Sequence, residues 1–123
     1  MSGLLVWLGA GVLGAAGSVA RFTLDGAVAR RAEGGDLPWG TLAVNILGSL
    51  ALGLVVGAGL DGDPRFLLAG GLIGSFTTFS TWMLETHRLA EEGDGRAAAL
   101  NLALSAALGL AALGAGWWIG SLL

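Results

Sequence analysis

Residues 66–84 read Phe66-Leu67-Leu68-Ala69-Gly70-Gly71-Leu72-Ile73-Gly74-Ser75-Phe76-Thr77-Thr78-Phe79-Ser80-Thr81-Trp82-Met83-Leu84. The stretch carries no formal charge. At about 1.5 Å rise per residue it is long enough to cross a hydrocarbon core about 30 Å thick. Yet five hydroxyls crowd into 75–81, just after three glycines. One or two hydroxyls in a helix bond back to their own backbone. Five beside glycines predict a helix broken in mid-span, and irregular backbone survives at that depth only where protein buries it or a cavity wets it. Freed carbonyls there are hard oxygen ligands for a cation such as Na⁺. Phe79 and Trp82, three residues apart, set two rings beside the break, and a ring edge is electropositive enough to attract an anion.

The rest of the chain follows the same pattern. Its 123 residues are 54% hydrophobic and 12% charged, with a mean hydropathy of +0.77. All charges fall within 21–36, 61–65 and 85–96, which leaves 1–20, 37–60 and 97–123 free of side-chain charge. The expectation is a single all-α integral membrane domain over 1–123, with four transmembrane helices at about 3–31, 37–60, 65–91 and 96–122. The intervening segments are turns: Glu33-Gly34-Gly35-Asp36 before Pro38, the hairpin Asp61–Arg65 with Pro64 in a first turn, and Glu91–Arg96. Ala27-Val28-Ala29 has the form of a signal-cleavage site, but residues 1–20 lack a positive n-region, so the first span is expected to be retained.

Several function classes are excluded at this point. Cysteine is absent, which removes disulfide, zinc-finger and thiol chemistry. Six arginines, no lysine and a net charge of −3 form no basic patch for nucleic acid. No nucleophile with its base, paired catalytic carboxylates or phosphate loop is present, so no enzyme is expected. His87 has no metal-ligand partner at suitable spacing and reads as interfacial.

Glycine is abundant, at 23 residues. Small residues recur every four positions in Ala10-Gly14-Ser18, Ser49-Gly53-Gly57, Gly70-Gly74 and Gly116-Gly120, ridges along which helix backbones approach closely. With four helices and four ridges, some are expected to face a partner chain. Polar residues also align. Thr41, Asn45 and Ser49 share one face of span two, either as an interhelical hydrogen bond or as a donor row along a polar path; from that span alone the hydrogen bond is the better reading. Asn101, Ser105 and Gly109 repeat the pattern in span four. Glu85, one turn beyond Trp82, is either a vestibule residue or a solvated helix end. Arg21, closing span one, either snorkels to the interface or holds anions near a pore mouth.

Three motifs bring these positions together: Gly14-x-x-Gly17-Ser18-x-x-Arg21-Phe22, Gly40-Thr41-x-x-Val44-Asn45-x-x-Gly48-Ser49, and Gly71-x-x-Gly74-x-x-Thr77-Thr78-Phe79-Ser80-Thr81. They resemble the signatures of the Fluc (CrcB-type) fluoride channels, in order and across all four spans. The resemblance implies an antiparallel dimer of four-helix subunits, with a central Na⁺ and two fluoride pores at the interface. By position it implies Na⁺ ligation by the backbone carbonyls of Gly74 and Thr77 from both chains. The pore residues it implies are Asn45, Phe79 and Trp82, helped by Thr41, Ser80, Thr81, Asn101 and Ser105, with Arg21 and Glu85 in the vestibule. Trp82 replaces the second ring of the family's usual phenylalanine pair, and Asn101 stands where a hydroxyl-bearing aromatic often heads the fourth-span track.

The implied role is passive export of fluoride across a prokaryotic plasma membrane, relieving its toxicity. A pore must replace the ion's hydration with donors and ring edges, binding it weakly enough for release. Two rivals are a small four-span multidrug-type exporter, for which proton coupling wants an intramembrane acid, and a non-transporting assembly subunit. Arginine placement bears on the partner. Arg30, Arg31, Arg88 and Arg96 lie on one side, five with Arg21, against Arg65 alone on the other. Arginine-rich short loops stay cytoplasmic, whereas an antiparallel homodimer needs both orientations. The homodimer is the expectation, since no motif is degraded; the alternative is a heterodimer with a related subunit of opposite bias.

Overall fold

In a computed structural model, which describes residues 2–32 and 37–123, the chain is all helix. Helix α1 spans Gly3–Arg31 and α2 spans Trp39–Gly57. The third crossing is composite: α3 (Gly62–Arg65), a π-helical stretch Phe66–Ile73, α4 (Gly74–Phe76) and, after a break, α5 (Ser80–Glu91). Helix α6 spans Gly95–Ser121. Four helices, counting Gly62–Glu91 as one, are long and apolar enough to cross a membrane, so this is a multi-pass membrane protein. The turn expected at Glu33–Asp36 lies outside the described residues.

The ends of these helices follow local chemistry. The Ser2 hydroxyl accepts from Leu5 N at 3.4 Å and the Asp94 carboxylate from Ala97 N at 3.1 Å, each satisfying an orphan donor of a first turn. At the other ends Gly59 (φ 76°) and Gly93 (φ 83°) take the left-handed conformation. Leu60 N then reaches back to Val55 O and Asp94 N to Leu89 O, the six-residue closure of a glycine-terminated helix.

Small residues decide the packing. A Cβ on Gly53 or Gly57 would overlap the carbonyls of Leu113 and Trp117, and one on Gly116 or Gly120 the carbonyls of Leu50 and Leu54. Those two ridges therefore meet each other, clamping α2 to α6. Helix α1 crosses the third span through Ala10, Gly14 and Gly17 against Gly71, Leu72 and Ser75. Gly17, rather than the expected Ser18, completes this ridge, at the i+3 position of the same face. Trp7 and Phe66 close the end of that crossing edge to face, ring centres 5.2 Å apart. The remaining ridge, Gly70-Gly74, is exposed.

The third span changes its hydrogen-bond register before it breaks. Gly74 N–H donates five residues back to Ala69 O, whereas Thr77 N–H donates four back to Ile73 O. Between them the two N–H groups of 75 and 76 face three carbonyls, so one carbonyl lacks a backbone donor. The Ser75 hydroxyl makes up the shortfall, lying 2.8 Å from Gly71 O and 3.0 Å from Leu72 O. Thr77 then turns extended (φ −80°, ψ 158°) and the helix restarts at Ser80. The expected mid-span break is present.

Candidate functional site

The break is held open by side chains. Asn45, from α2, donates through Nδ2 to Thr78 O at 2.8 Å and accepts at Oδ1 from Thr78 N at 2.8 Å. Thr78 Oγ1 accepts from Thr81 N at 3.2 Å and donates to Thr81 Oγ1 at 3.1 Å, satisfying a first-turn donor of α5 from just before its N-cap residue, Phe79. Two consequences follow from helix arithmetic. The donor that an unbroken helix would aim at Gly74 O is Thr78 N, and the donor for Thr77 O is Thr81 N. Both are diverted to side chains, so the carbonyls of Gly74 and Thr77 lose their helical partners.

Beside the break lies an open cavity of about 540 Å³ bounded by α2, the third span and α6. Asn45, Ser49, Phe79, Trp82 and Ser105 line it, together with Thr77, and among the described residues no charged side chain does. Phe79 is 69% exposed. It meets Trp82 edge to face, ring centres 5.7 Å apart at 87°, so one ring presents its electropositive rim. The indole of Trp82 donates to Asn101 O at 3.1 Å. Ser105 is 7% exposed and its hydroxyl has no hydrogen-bond partner among the described residues. A buried polar group left unpaired costs about 1–3 kcal/mol. Asn45 keeps one amide N–H beyond the bond to Thr78. The cavity is thus neutral, with spare donors and a ring edge.

The family model described as CrcB-like protein, camphor resistance (CrcB), matches residues 8–117. This chain belongs to the CrcB family. It is 48% identical over 112 residues to "Fluoride-specific ion channel FluC 2" of Mycolicibacterium paratuberculosis, covering 91% of each chain. It is 49% identical over 119 residues to "Fluoride-specific ion channel FluC 1" of Symbiobacterium thermophilum, covering 93% of each. Against "Fluoride-specific ion channel FluC 1" of Rubrobacter xylanophilus the identity is 53% over 102 residues, 82% of each. These relatives are named as channels, not enzymes.

The residues singled out from this CrcB sequence do not all meet. Asn45, Phe79, Trp82 and Ser105 line the large cavity. Thr41 and Thr81 line a separate, smaller one of about 190 Å³ with Arg21, Asp25 and Thr78. Thr41, 3% exposed, donates to Glu85 Oε1 at 2.5 Å. Glu85 is therefore tied to α2 and is not a free solvated end. Asn101, also 3% exposed, donates to Thr86 Oγ1 at 2.8 Å, and Thr86 in turn donates to Trp82 O. Ser80 is exposed, with its hydroxyl 3.5 Å from Thr78 Oγ1. His87 lies on the outside beside Glu91.

Three residues of this network escaped the sequence reading. Thr78 is the hub of the break; its position three before Thr81, at the restart of the helix, was the available signal. Thr86 holds Asn101, and the spacing to Trp82 of one turn hints only at a back-bond. Asp25 packs on the start of α2, where a Cβ on Gly40 would strike its carboxylate; nothing local in the sequence announces that crossing.

Proposed function

We propose that this protein is a fluoride channel working as an antiparallel dimer, and that it lets the ion run passively out of the cell down its gradient. The observation that carries this reading is the cavity beside the break, lined by Ser105 with its unpartnered hydroxyl, by Asn45 with a spare N–H and by the exposed Phe79 ring, and by no charged side chain among the described residues. Fluoride is small and strongly hydrated, so each lost water must be replaced by a donor. A fixed positive charge would trap the ion, and none lines the cavity among the described residues; weak, multi-site donors permit release. The curated relatives, named as fluoride-specific channels over most of their length, support the same substrate.

The dimer reading draws on what one chain leaves uncovered: the Gly70-Gly74 ridge, the Phe79 ring and the open side of the cavity. A second chain, inverted, covers them. At the two-fold axis the Gly74 and Thr77 carbonyls, whose helical donors are diverted, are suited to hold Na⁺ with their counterparts from the partner. Bare carbonyl oxygens are the hard ligands such an ion takes. Na⁺ held there supplies a charge that ties the two broken helices together.

The hydrogen bonds of Thr41, Asn45 and Asn101 also fit a non-transporting assembly subunit whose polar residues only join helices. Ser105 separates the two, since a purely structural hydroxyl would be paired. The test is fluoride-electrode recording of efflux from liposomes. The chain is purified and dimerised in detergent, where membrane orientation imposes no choice of partner. Fluoride efflux with chloride retained is expected; a folded dimer that passes no fluoride ends the channel reading.

A further inference from the structure

We infer that Thr86 and Asn101 are positioning residues for the Trp82 ring. A closed circuit of three hydrogen bonds between α5 and α6 sets which edge of the indole faces the large cavity, and thereby how readily an anion passes it. The inference rests on the channel reading above and gives these two side chains a role within it.

The circuit begins and ends at Trp82. Its backbone carbonyl accepts from the Thr86 hydroxyl at 2.8 Å. The hydroxyl oxygen accepts in turn from Asn101 Nδ2 at 2.8 Å. The backbone carbonyl of Asn101 then accepts from the indole Nε1–H at 3.1 Å. Thr86 belongs to α5 and Asn101 to α6, so the circuit fixes one helix against the other at the level of the ring. A hydroxyl has a single proton, and that of Thr86 is spent on Trp82 O. Asn101 is 3% exposed, so its bond to Thr86 is costly to leave unmade.

A tryptophan side chain turns about two torsions, and the second, an sp³–sp² bond, has broad wells. The backbone of α5 therefore leaves the plane of the ring loosely set. A bond from Nε1 to a carbonyl on the neighbouring helix sets it. Asn101 O can take that bond because a carbonyl has two lone pairs and the helix uses one, for Ser105 N–H four residues on. The indole and Ser105 thus share one acceptor, and both line the large cavity. Phe79 lines it too and meets Trp82 at 87°, so the plane of one ring decides what the other presents.

The circuit also occupies the strongest donor on the ring. With Nε1–H spent on Asn101 O, Trp82 has only ring carbons to turn toward the cavity. Their rim is weakly electropositive, suited to an ion that must leave again. Neither Thr86 nor Asn101 is among the described residues that line this cavity, and each reaches it through Trp82.

The test is fluoride efflux from liposomes holding the purified parent, Thr86→Val, Thr86→Ser, Trp82→Phe and Thr86→Val/Trp82→Phe. Thr86→Val keeps the shape and removes the bridge; efflux is expected to fall about twofold to tenfold, the population shift that one net hydrogen bond controls. Thr86→Ser keeps the hydroxyl and should restore the parental rate. Trp82→Phe keeps a ring without a donor, so the circuit is already open. Adding Thr86→Val to it should leave efflux where Trp82→Phe alone puts it. The same fractional loss in both backgrounds overturns the inference, since Thr86 would then act by packing α5 on α6. A Thr86→Val protein as fast as the parent, or a Thr86→Ser protein as slow as Thr86→Val, overturns it equally. If Thr86→Val yields no folded dimer, Asn101→Leu removes the Nδ2 donor from the other helix and takes its place, with the same expectations in the two backgrounds. A folded parent dimer that passes no fluoride overturns the channel reading and this role with it. That result is distinct from a conducting parent whose variants show no dependence on Trp82.

Discussion

Asn45 and Thr78 pair as two peptide groups do in a ladder: the amide of one closes on both backbone polar groups of the other, each at 2.8 Å. One side chain of α2 therefore keeps the third span from healing into a continuous helix. Replacing Asn45 by Asp puts a carboxylate oxygen against Thr78 O, acceptor facing acceptor, and removes the spare donor from the cavity. Asn45→Asp is expected to abolish fluoride efflux and to lower stability by ~1–3 kcal/mol, the range for a buried pair broken on one side. Thermal unfolding in detergent and liposome efflux read the two effects. Flux retained at wild-type level would take Asn45 out of the permeation path.

Phe79 carries a different load. Its ring is mostly exposed in the subunit, so truncating it opens no core cavity. Phe79→Ile keeps bulk beside Trp82 but offers no electropositive rim. Efflux is expected to fall at least tenfold, equivalent to ~1.4 kcal/mol on the barrier, with the subunit fold unchanged by circular dichroism. An Ile variant as fast as the parent would reduce the ring to packing.

Ser105 separates structural from permeating roles most sharply. Its hydroxyl is buried and unpartnered, so Ser105→Ala removes an unsatisfied group. Stability is expected to hold or rise by up to ~1–3 kcal/mol, while fluoride efflux falls. A structural hydroxyl would show the reverse, with loss of stability and unchanged flux. Paired measurements of melting temperature and efflux on one preparation decide it.

The four spans were legible because a membrane forbids charge, and charge avoidance over about 20 residues shows in any composition. The break was legible for a related reason: glycines and clustered hydroxyls at membrane depth have no other common use. What stayed hidden was the choice of partner. Ala10 and Gly14 lie on one face with both Gly17 and Ser18, since 3.6 residues per turn put i+3 and i+4 side by side, and only the packing against Leu72 and Ser75 selects Gly17. Likewise the periodic row Thr41, Asn45, Ser49 is real, yet its members go to different places: Glu85, the Thr78 backbone and the cavity wall. Nothing in the row encodes the distant groups that meet it.

The α2–α6 clamp yields a prediction about folding rather than flux. Gly116 lies against Leu50 O so closely that a Cβ must displace backbone. Backbone cannot swing aside as a flexible side chain does. Gly116→Ala is expected to destabilise by ~1–3 kcal/mol, the range of overpacking in a well-filled core. Gly114, where a Cβ meets nothing within 4 Å, serves as the control, and Gly114→Ala should be neutral. Urea or thermal unfolding of both variants checks the contrast.

The last prediction concerns Thr41 and Glu85, which join α2 to α5 at 2.5 Å across 44 residues of chain. Thr41 is almost fully buried, and its hydroxyl donates to the carboxylate. Thr41→Val keeps the shape, but it leaves the acidic group facing a methyl. Bonds to charged groups are worth ~1.5–3 kcal/mol, so a loss of that order is expected. Glu85→Gln also weakens the pair, by less, because an amide oxygen still accepts from the hydroxyl. If the bond is the reason for both effects, the double variant Thr41→Val/Glu85→Gln loses less than the two single losses added together, with a coupling energy of at least ~0.5 kcal/mol. Additive losses would show that Thr41 and Glu85 act separately, Thr41 through its packing and Glu85 through its solvation. The cycle needs only unfolding measurements, so it stands apart from any assay of ion flux.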